Sequence, residues 1–295
     1  MSHVVSIIDP VQILNREILQ QLESADPDWV GELRLLGTKP NIDLYFKDEP
    51  IAVQPATGET RKGVEIAIFG DTEDLAAGAV TIGLSDGHPD ALIVHPALNL
   101  DAVPEHRGVL QVPDAAASTI AILANALDES IQSITGTILL PASTLGPDAI
   151  EELYGQTLAL FNQQKLPTDV IGGRLAFNLL PGHANMEGLD ALLETPSSLT
   201  TMTAPLFGGT TLALDFWFES SMDPQVITEK LSAQPSISIQ DTIQPALIVD
   251  TDPIAIIPPQ VNGQHVRIIA CIDEVRRNAS AVLKLAETVC SHDAF

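Results

Sequence analysis

Between Val4 and Val112 strand-like and helix-like segments alternate with short connections, and that alternation constrains the fold more than any single residue does. "VVSII" is an apolar run that turns directly into a helix with Val11, Leu14, Ile18 and Leu22 on one face. "IDLYFK" and "PIAVQ" read as short strands of a hairpin around Asp48-Glu49. "GVEIAIFG" reads as a buried strand, "DTEDLAAGAV" as a capped helix, and "LIVHPAL" and "GVLQV" as further strands. This order predicts an α/β fold with a mainly parallel, Rossmann-like sheet.

Past Pro113 the pattern changes. "DAAASTIAILANALDES" predicts a helix capped by Asp114, "ITGTILL" a strand, and "GPDAIEELYGQTLALFNQ" a long helix. "TTLALDFWFE" alternates, with Leu212, Leu214, Phe216 and Phe218 on one face and Thr211, Ala213, Asp215 and Trp217 on the other. "DPQVITEKLSA" opens a helix with Pro224 at its first position, "VRIIAC" is a late strand, and "DEVRRNASAVLKLAETV" is a closing helix. The antiparallel character of this region sets a boundary near residue 114. The expected domains are 1–114, completed by the C-terminal helix 272–295, and 115–271.

Charge limits the partners. Lys and Arg total 14 against 39 Asp and Glu, a net charge of −25, which repels nucleic acid and anionic membrane at long range. No Lys or Arg occurs between Val64 and Glu105. No apolar run reaches transmembrane length, and the N-terminus does not read as a signal peptide. With Cys271 and Cys290 the only cysteines, a reducing, cytoplasmic setting is expected.

Three segments together resemble the aspartate-semialdehyde dehydrogenase family: "GGRLAFNLLPG" its Phe-Asn-x-x-Pro segment, "TMTAPLFGGTTLAL" its Arg-Val-Pro-Val and Gly-His strands, and "IDEVRRNASAVLKLAE" its closing helix. "VPDAAAST" falls where those enzymes carry Pro-Asn-Cys-Ser/Thr. The resemblance implies a nicotinamide-binding first domain, a semialdehyde-dehydrogenase-type dimerisation domain and a homodimer. In active members a Cys thiolate attacks the aldehyde, a His serves as acid and base, NADP takes the hydride, and phosphate releases the acyl group.

The residues that would carry this chemistry are replaced. The turn matching the family's Gly-rich phosphate loop, Asp9 to Asn15, holds no glycine; Pro10 lacks an N–H, and Asp9 is expected to cap the helix in the place of an anion. The family's Cys falls on Ala115 or, in the other register, Ala117, while its substrate Arg falls on Thr203 and its His on Thr210. Ser118 lacks an evident base, and Cys271 and Cys290 lie elsewhere.

These losses together predict a non-catalytic, dimeric interaction or regulatory protein without a cofactor, catalytic residue or metal. An NADP-dependent semialdehyde oxidoreductase with an altered site is the alternative, and a small-molecule binding module a third reading. Phe216, Trp217 and Phe218 are candidates for the dimer interface. "GLSDG", Gly83 to Gly87, matches Gly-x-Ser-x-Gly, but His88-Pro89 disfavours the helix that a nucleophile elbow needs. His95 and His106, with Asp101 and Glu105, match no metal-ligand spacing.

Overall fold

The computed structural model describes residues 2–37, 43–70, 78–127 and 131–291. It divides into two compact units, one of Met1–Asp114, Glu187–Leu192 and Val275–Phe295, the other of Ala115–Met186 and Leu193–Glu274. In chain order the first stretch contains β1 (His3–Ile8), α1 (Ile13–Ala25), β2 (Val30–Gly37), β3 (Asp43–Phe46), β4 (Glu49–Ala52), β5 (Gln54–Pro55), α2 (Gly58–Arg61), β6 (Ile66–Ile68), β7 (Val80–Leu84), β8 (Leu92–Ile93) and β9 (Val109–Val112). There follow α3 (Ala115–Leu127), β10 (Ile131–Leu140), α4 (Pro147–Phe161), β11 (Leu180–Pro181), α5 (Leu189–Leu192), β12 (Ser197–Thr203) and β13 (Thr210–Phe218). The chain ends with α6 (Pro224–Ser232), β14 (Ile237–Ile239), α7 (Pro245–Ile248), β15 (Ile254–Ile256), β16 (Gln260–Asn262), β17 (His265–Ile272) and α8 (Glu274–Ser291).

The first unit is built on a seven-stranded sheet in the order β5-β2-β1-β6-β7-β9-β8, every pair parallel. One face, carrying Val5, Ile7, Ile66, Ile68, Val80, Ile82 and Leu110, packs in one cluster with Ile18 and Leu22 of α1 and Val282, Leu285 and Val289 of α8. The parallel, Rossmann-like sheet expected from the alternation is therefore present. β3 and β4 form the antiparallel hairpin, turning through Lys47 and Asp48, both at positive φ. Only Leu92–Ile93 of "LIVHPAL" is strand. Most of the predicted helix "DTEDLAAGAV" lies outside the described residues, and its Val80 opens β7.

The second unit holds the larger, mixed sheet β11-β12-β10-β13-β17-β15-β14, with β16 on β17. Its character differs from the antiparallel expectation at two places: β10 pairs β12, and β14 pairs β15, in parallel. The long excursion between β10 and β12, which includes α4, brings the chain back in the same direction, so parallel pairing costs no tight turn. On β13 the residues Thr210, Leu212, Leu214, Phe216 and Phe218 are buried while the intervening ones face outward. α3 is buried at every position but Asn125 and is apolar apart from Ser118, Thr119 and Asn125, as suits a helix buried on nearly all sides. Lys230 of α6 donates its ammonium to the Leu127 carbonyl at the end of α3, at 2.8 Å.

One polar device orders the irregular segment after α4. The buried Glu152 carboxylate accepts the N–H groups of Val170 and Ile171 at 2.7 and 2.9 Å. One turn on, Gln156 accepts the N–H groups of Leu175 and Ala176 and donates to the carbonyls of Pro167 and Gly173. Among the described residues no helix is long and apolar enough to cross a membrane.

Candidate functional site

In the first unit the turn after β1 is closed by main-chain and amide bonds. Asp9 adopts a left-handed conformation, φ 48°, and the Gln12 N–H returns to its carbonyl at 3.1 Å. The buried Asn15 reaches back with Nδ2 to the carbonyls of Ile8, 2.7 Å, and Asp9, 3.2 Å. The helix therefore begins at Ile13, with Gln12 as its cap residue and no side-chain cap bond. This corrects the expected cap at Asp9. The Asp9 carboxylate points instead toward the end of β2, where a Cβ added to Gly37 would lie 3.0 Å from Asp9 Oδ1. Pro10 is buried in the same turn and offers no N–H. Asp9 is thus not the cap residue of α1, and the missing glycines deny the backbone a close wrap around a pyrophosphate.

In the second unit Ala115, Ala116 and Ala117 open α3, and all three are buried. Either register thus places a buried methyl group where the resemblance expects a thiol. Ser118 and Thr119 follow, equally buried. Thr203 pairs with Leu140, and the β10–β13 register, with Leu139 opposite Thr211, sets Thr210 on the other side of Leu140. Thr203 and Thr210 accordingly lie in one row, roughly 10 Å apart across two strand spacings. Thr210 is fully buried, and its hydroxyl donates to Glu274 Oε2 at 2.5 Å. A donor tied to a carboxylate in this way has no proton-accepting role at neutral pH. Glu274 escaped the sequence reading; its only signal was the register, which pairs Thr210 with Ile272, two residues earlier.

Neither thiol stands in for the missing nucleophile. Cys271 is buried, its Sγ 3.1 Å from Thr211 Oγ1, and burial pushes its thiol above the usual range. Cys290, in the first unit, is pushed up to about 12, by burial first, with the charges of Glu65 and Glu287 adding to it. Thiolate is the reactive form, so both are poor nucleophiles at neutral pH.

The remaining motifs resolve locally. Ser85 follows β7 and is buried, and no helix succeeds it: the chain turns, with the His88 N–H on Asp86 Oδ1 at 3.0 Å. His95 Nδ1 accepts the Ala97 N–H and His106 Nδ1 the Gly108 N–H. Burial, with Arg277 nearby, lowers His95 to about 4. Among the described residues no group of three or more His, Cys, Asp or Glu side chains is placed to hold a metal ion.

The aromatic trio divides between the two faces of β13. Phe216 and Phe218 are 0% and 3% exposed, inside the unit's own core, while Trp217 is 44% exposed. Trp217 stacks on His265, ring centroids 4.5 Å apart and planes at 22°. His265 Nε2 and Arg267 Nε both meet Asp215 Oδ1, at 2.6 and 2.7 Å. Burial alone would raise the Asp215 carboxyl, but these hydrogen bonds outweigh it and hold it below its ordinary value.

No protein-family model matches the chain. Over 204 residues it is 26% identical to an aspartate-semialdehyde dehydrogenase of Bacillus subtilis (strain 168), covering 60% of this chain and 58% of that protein, less than two thirds of its length. Over 271 residues it is 25% identical to a USG-1 protein homolog of Azotobacter vinelandii, covering 80% of each. Among solved structures, a probable aspartate-semialdehyde dehydrogenase from Pseudomonas aeruginosa superposes with a TM-score of 0.89 at 20% identity, over 99% of this chain and all (100%) of that one. Aspartate semialdehyde dehydrogenase II of Vibrio cholerae, solved in complex with ASA, gives 0.88 at 19% identity over 100% of both chains. In sequence and in fold, the chain is aspartate-semialdehyde dehydrogenase-like.

Proposed function

We propose that this chain is a non-catalytic relative of aspartate-semialdehyde dehydrogenase, a cytoplasmic homodimer that acts through protein contacts rather than turnover. The observation that carries the reading is the run of buried alanines at the start of α3, which offers a methyl group in either register of the family's nucleophile. Covalent capture of an aldehyde needs a thiolate at that point, and the two cysteines, raised by burial, do not supply one. The Thr210–Glu274 bond adds that Thr210, where the family's His falls, is a hydrogen-bond donor and not a base.

The dimer reading rests on the outward face of the second sheet, where Thr135, Thr137, Thr211, Ala213, Trp217 and Ile269 share one side. Its charges, Asp215 and Arg267, are paired with each other. A face whose charges are paired and which carries the exposed Trp217 suits a second copy in a chain of net charge −25, since charged residues are depleted at interface cores.

A second reading, an NADP-dependent oxidoreductase with an altered site, draws on the N-terminus of α1, which Asp9 does not cap. Titration with NADPH by calorimetry, together with a phosphate-dependent aldehyde assay, separates the two. The proposal expects neither heat of binding nor turnover; saturable NADPH binding with turnover overturns it.

A further inference from the structure

A cleft of about 460 Å³ lies within the first unit, on the sheet face opposite its main core. Thr81, Gly83, Val109 and Gln111 form its floor, Phe69 its wall, and Asp86 and His88 stand at one end. We propose that it binds a small organic ammonium ion, with Asp86 taking the charge and the Phe69 wall taking the apolar body.

Three observations carry this. The first is charge. Among the described residues Asp86 is the one acid lining the cleft and no Lys or Arg lines it, and none occurs in the sequence from Val64 to Glu105. His88 Nδ1 accepts the Asp90 N–H at 3.2 Å, which leaves Nε2 as the ring's donor. An anionic or phosphorylated ligand would meet the Asp86 carboxylate with no described Lys or Arg in the lining to offset it, whereas a cation is also drawn in by the net charge of −25.

The second observation is that the carboxylate is held. Gln111 is 94% buried by its 6% exposure, and its Nε2 donates to Asp86 Oδ1 at 2.6 Å while its Oε1 faces the Asp86 N–H at 3.4 Å. The His88 N–H adds a second donor to Oδ1. Oδ2 takes no hydrogen bond from the described residues and stays available to a ligand. A buried amide bonding both the side chain and the main chain of one exposed acid fixes that acid's direction at little entropic cost.

The third is Phe69. This bulky residue sits in the left-handed region, φ 59°, a conformation that side chains adopt only when their surroundings hold them in it. Its N–H on the Ile82 carbonyl at 2.8 Å helps to hold it there. The result is a ring laid over β7, since a Cβ added at Gly83 would meet Phe69 Cδ1 at 3.5 Å. An aromatic ring and a fixed carboxylate in one cleft are the two groups that recognise an ammonium on an apolar stem.

The test uses the full chain at pH 7 and physiological salt, with benzylamine, benzyl alcohol and benzoate as probes in calorimetry. Benzylamine should bind saturably at one site, benzyl alcohol about tenfold or more weakly, and benzoate not at all. Asp86→Asn should cost about tenfold or more in benzylamine affinity while leaving the circular dichroism melt in place, because Asp86 is exposed. That substitution changes the net charge by only one, so equal binding by the variant would assign the heat to diffuse attraction and overturn the site. Equal binding of alcohol or benzoate, or no saturable benzylamine binding, overturns it as well. Gly83→Val, which fills the floor beneath Phe69, should abolish binding of benzylamine and alcohol alike; retained binding places the ligand elsewhere.

Discussion

Phe216→Ala and Trp217→Ala, one residue apart, should fail in different ways. Phe216 is fully buried on the core face of β13, and truncating such a phenylalanine costs about 3–5 kcal/mol in transfer and cavity energy. That loss belongs to the fold and is independent of protein concentration. Trp217 has 44% of its surface exposed, which for an indole presenting up to ~250 Å² is roughly 110 Å². Covering that area in a dimer is worth about 2.5–3 kcal/mol per protomer, and with both copies changed about ten-thousandfold in Kd. Within the monomer the same substitution also gives up the roughly 140 Å² already covered there, the stack on His265 included, about 3 kcal/mol. The assay is urea unfolding followed by far-ultraviolet circular dichroism at two protein concentrations a hundredfold apart, with sedimentation velocity on the same samples. Phe216→Ala should lower the midpoint equally at both concentrations. Trp217→Ala should lower the midpoint of the dilute sample as well, and alone of the two should move the monomer–dimer midpoint upward in concentration. If Trp217→Ala sediments like the parent at every concentration, the outward face of the second sheet is not the dimer face.

Four further outcomes follow from the geometry. Gly136→Ala in β10 should destabilise by about 3 kcal/mol in urea titration, since its Cβ would lie 2.5 Å from the Ala213 carbonyl oxygen. Asn15→Asp should cost about 2–3 kcal/mol in thermal unfolding, because a carboxylate would face the Ile8 and Asp9 carbonyls in place of a donor. His95, lowered to about 4 from 6.5, is neutral when folded; the unfolded chain binds its proton first, so stability present above pH 6.5 falls by about 3 kcal/mol as the pH drops to 4. His95→Asn should flatten that part of the stability-against-pH curve. Ellman's reagent at pH 7 should find no fast-reacting thiol in the native protein and two in urea; because the Cys290 thiol is raised to about 12, the native state should also lose stability as the pH climbs above about 9.

The same dipeptide shows where sequence reasoning works and where it stops. Asp223-Pro224 behaves as its pattern says: Asp223 caps α6 by accepting the Gln225 N–H at 2.8 Å, with Pro224 in the first turn. Asp9-Pro10 carries the same signal, yet Asn15 takes the Ile8 and Asp9 carbonyls and inserts a turn before the helix. The deciding residue lies six positions away, outside any local capping rule. The alternation on β13 was legible because a period of two reports burial directly; that Trp217 alone of the aromatic trio faces outward followed from it. The parallel β10–β12 pairing was not, since it depends on where a long excursion returns. The missing thiol could be read from the alanines themselves, while Glu274 and Gln111 acquire their partners only through strand register and tertiary contact.

The hold of α4 on the segment that follows it has a consequence for how this protein can diverge. Apart from the Gln156 Nε2 bond to Glu152 Oε1, Glu152 and Gln156 bond to main-chain groups between Pro167 and Ala176. Such a grip recognises the course of the backbone and is indifferent to most of the side chains borne on it. Positions such as Thr168, Asp169 and Arg174 are then open to substitution without loss of shape, while the two helix residues are not. Variation among descendants of this chain should therefore pool in the gripped segment and spare the two side chains that grip it.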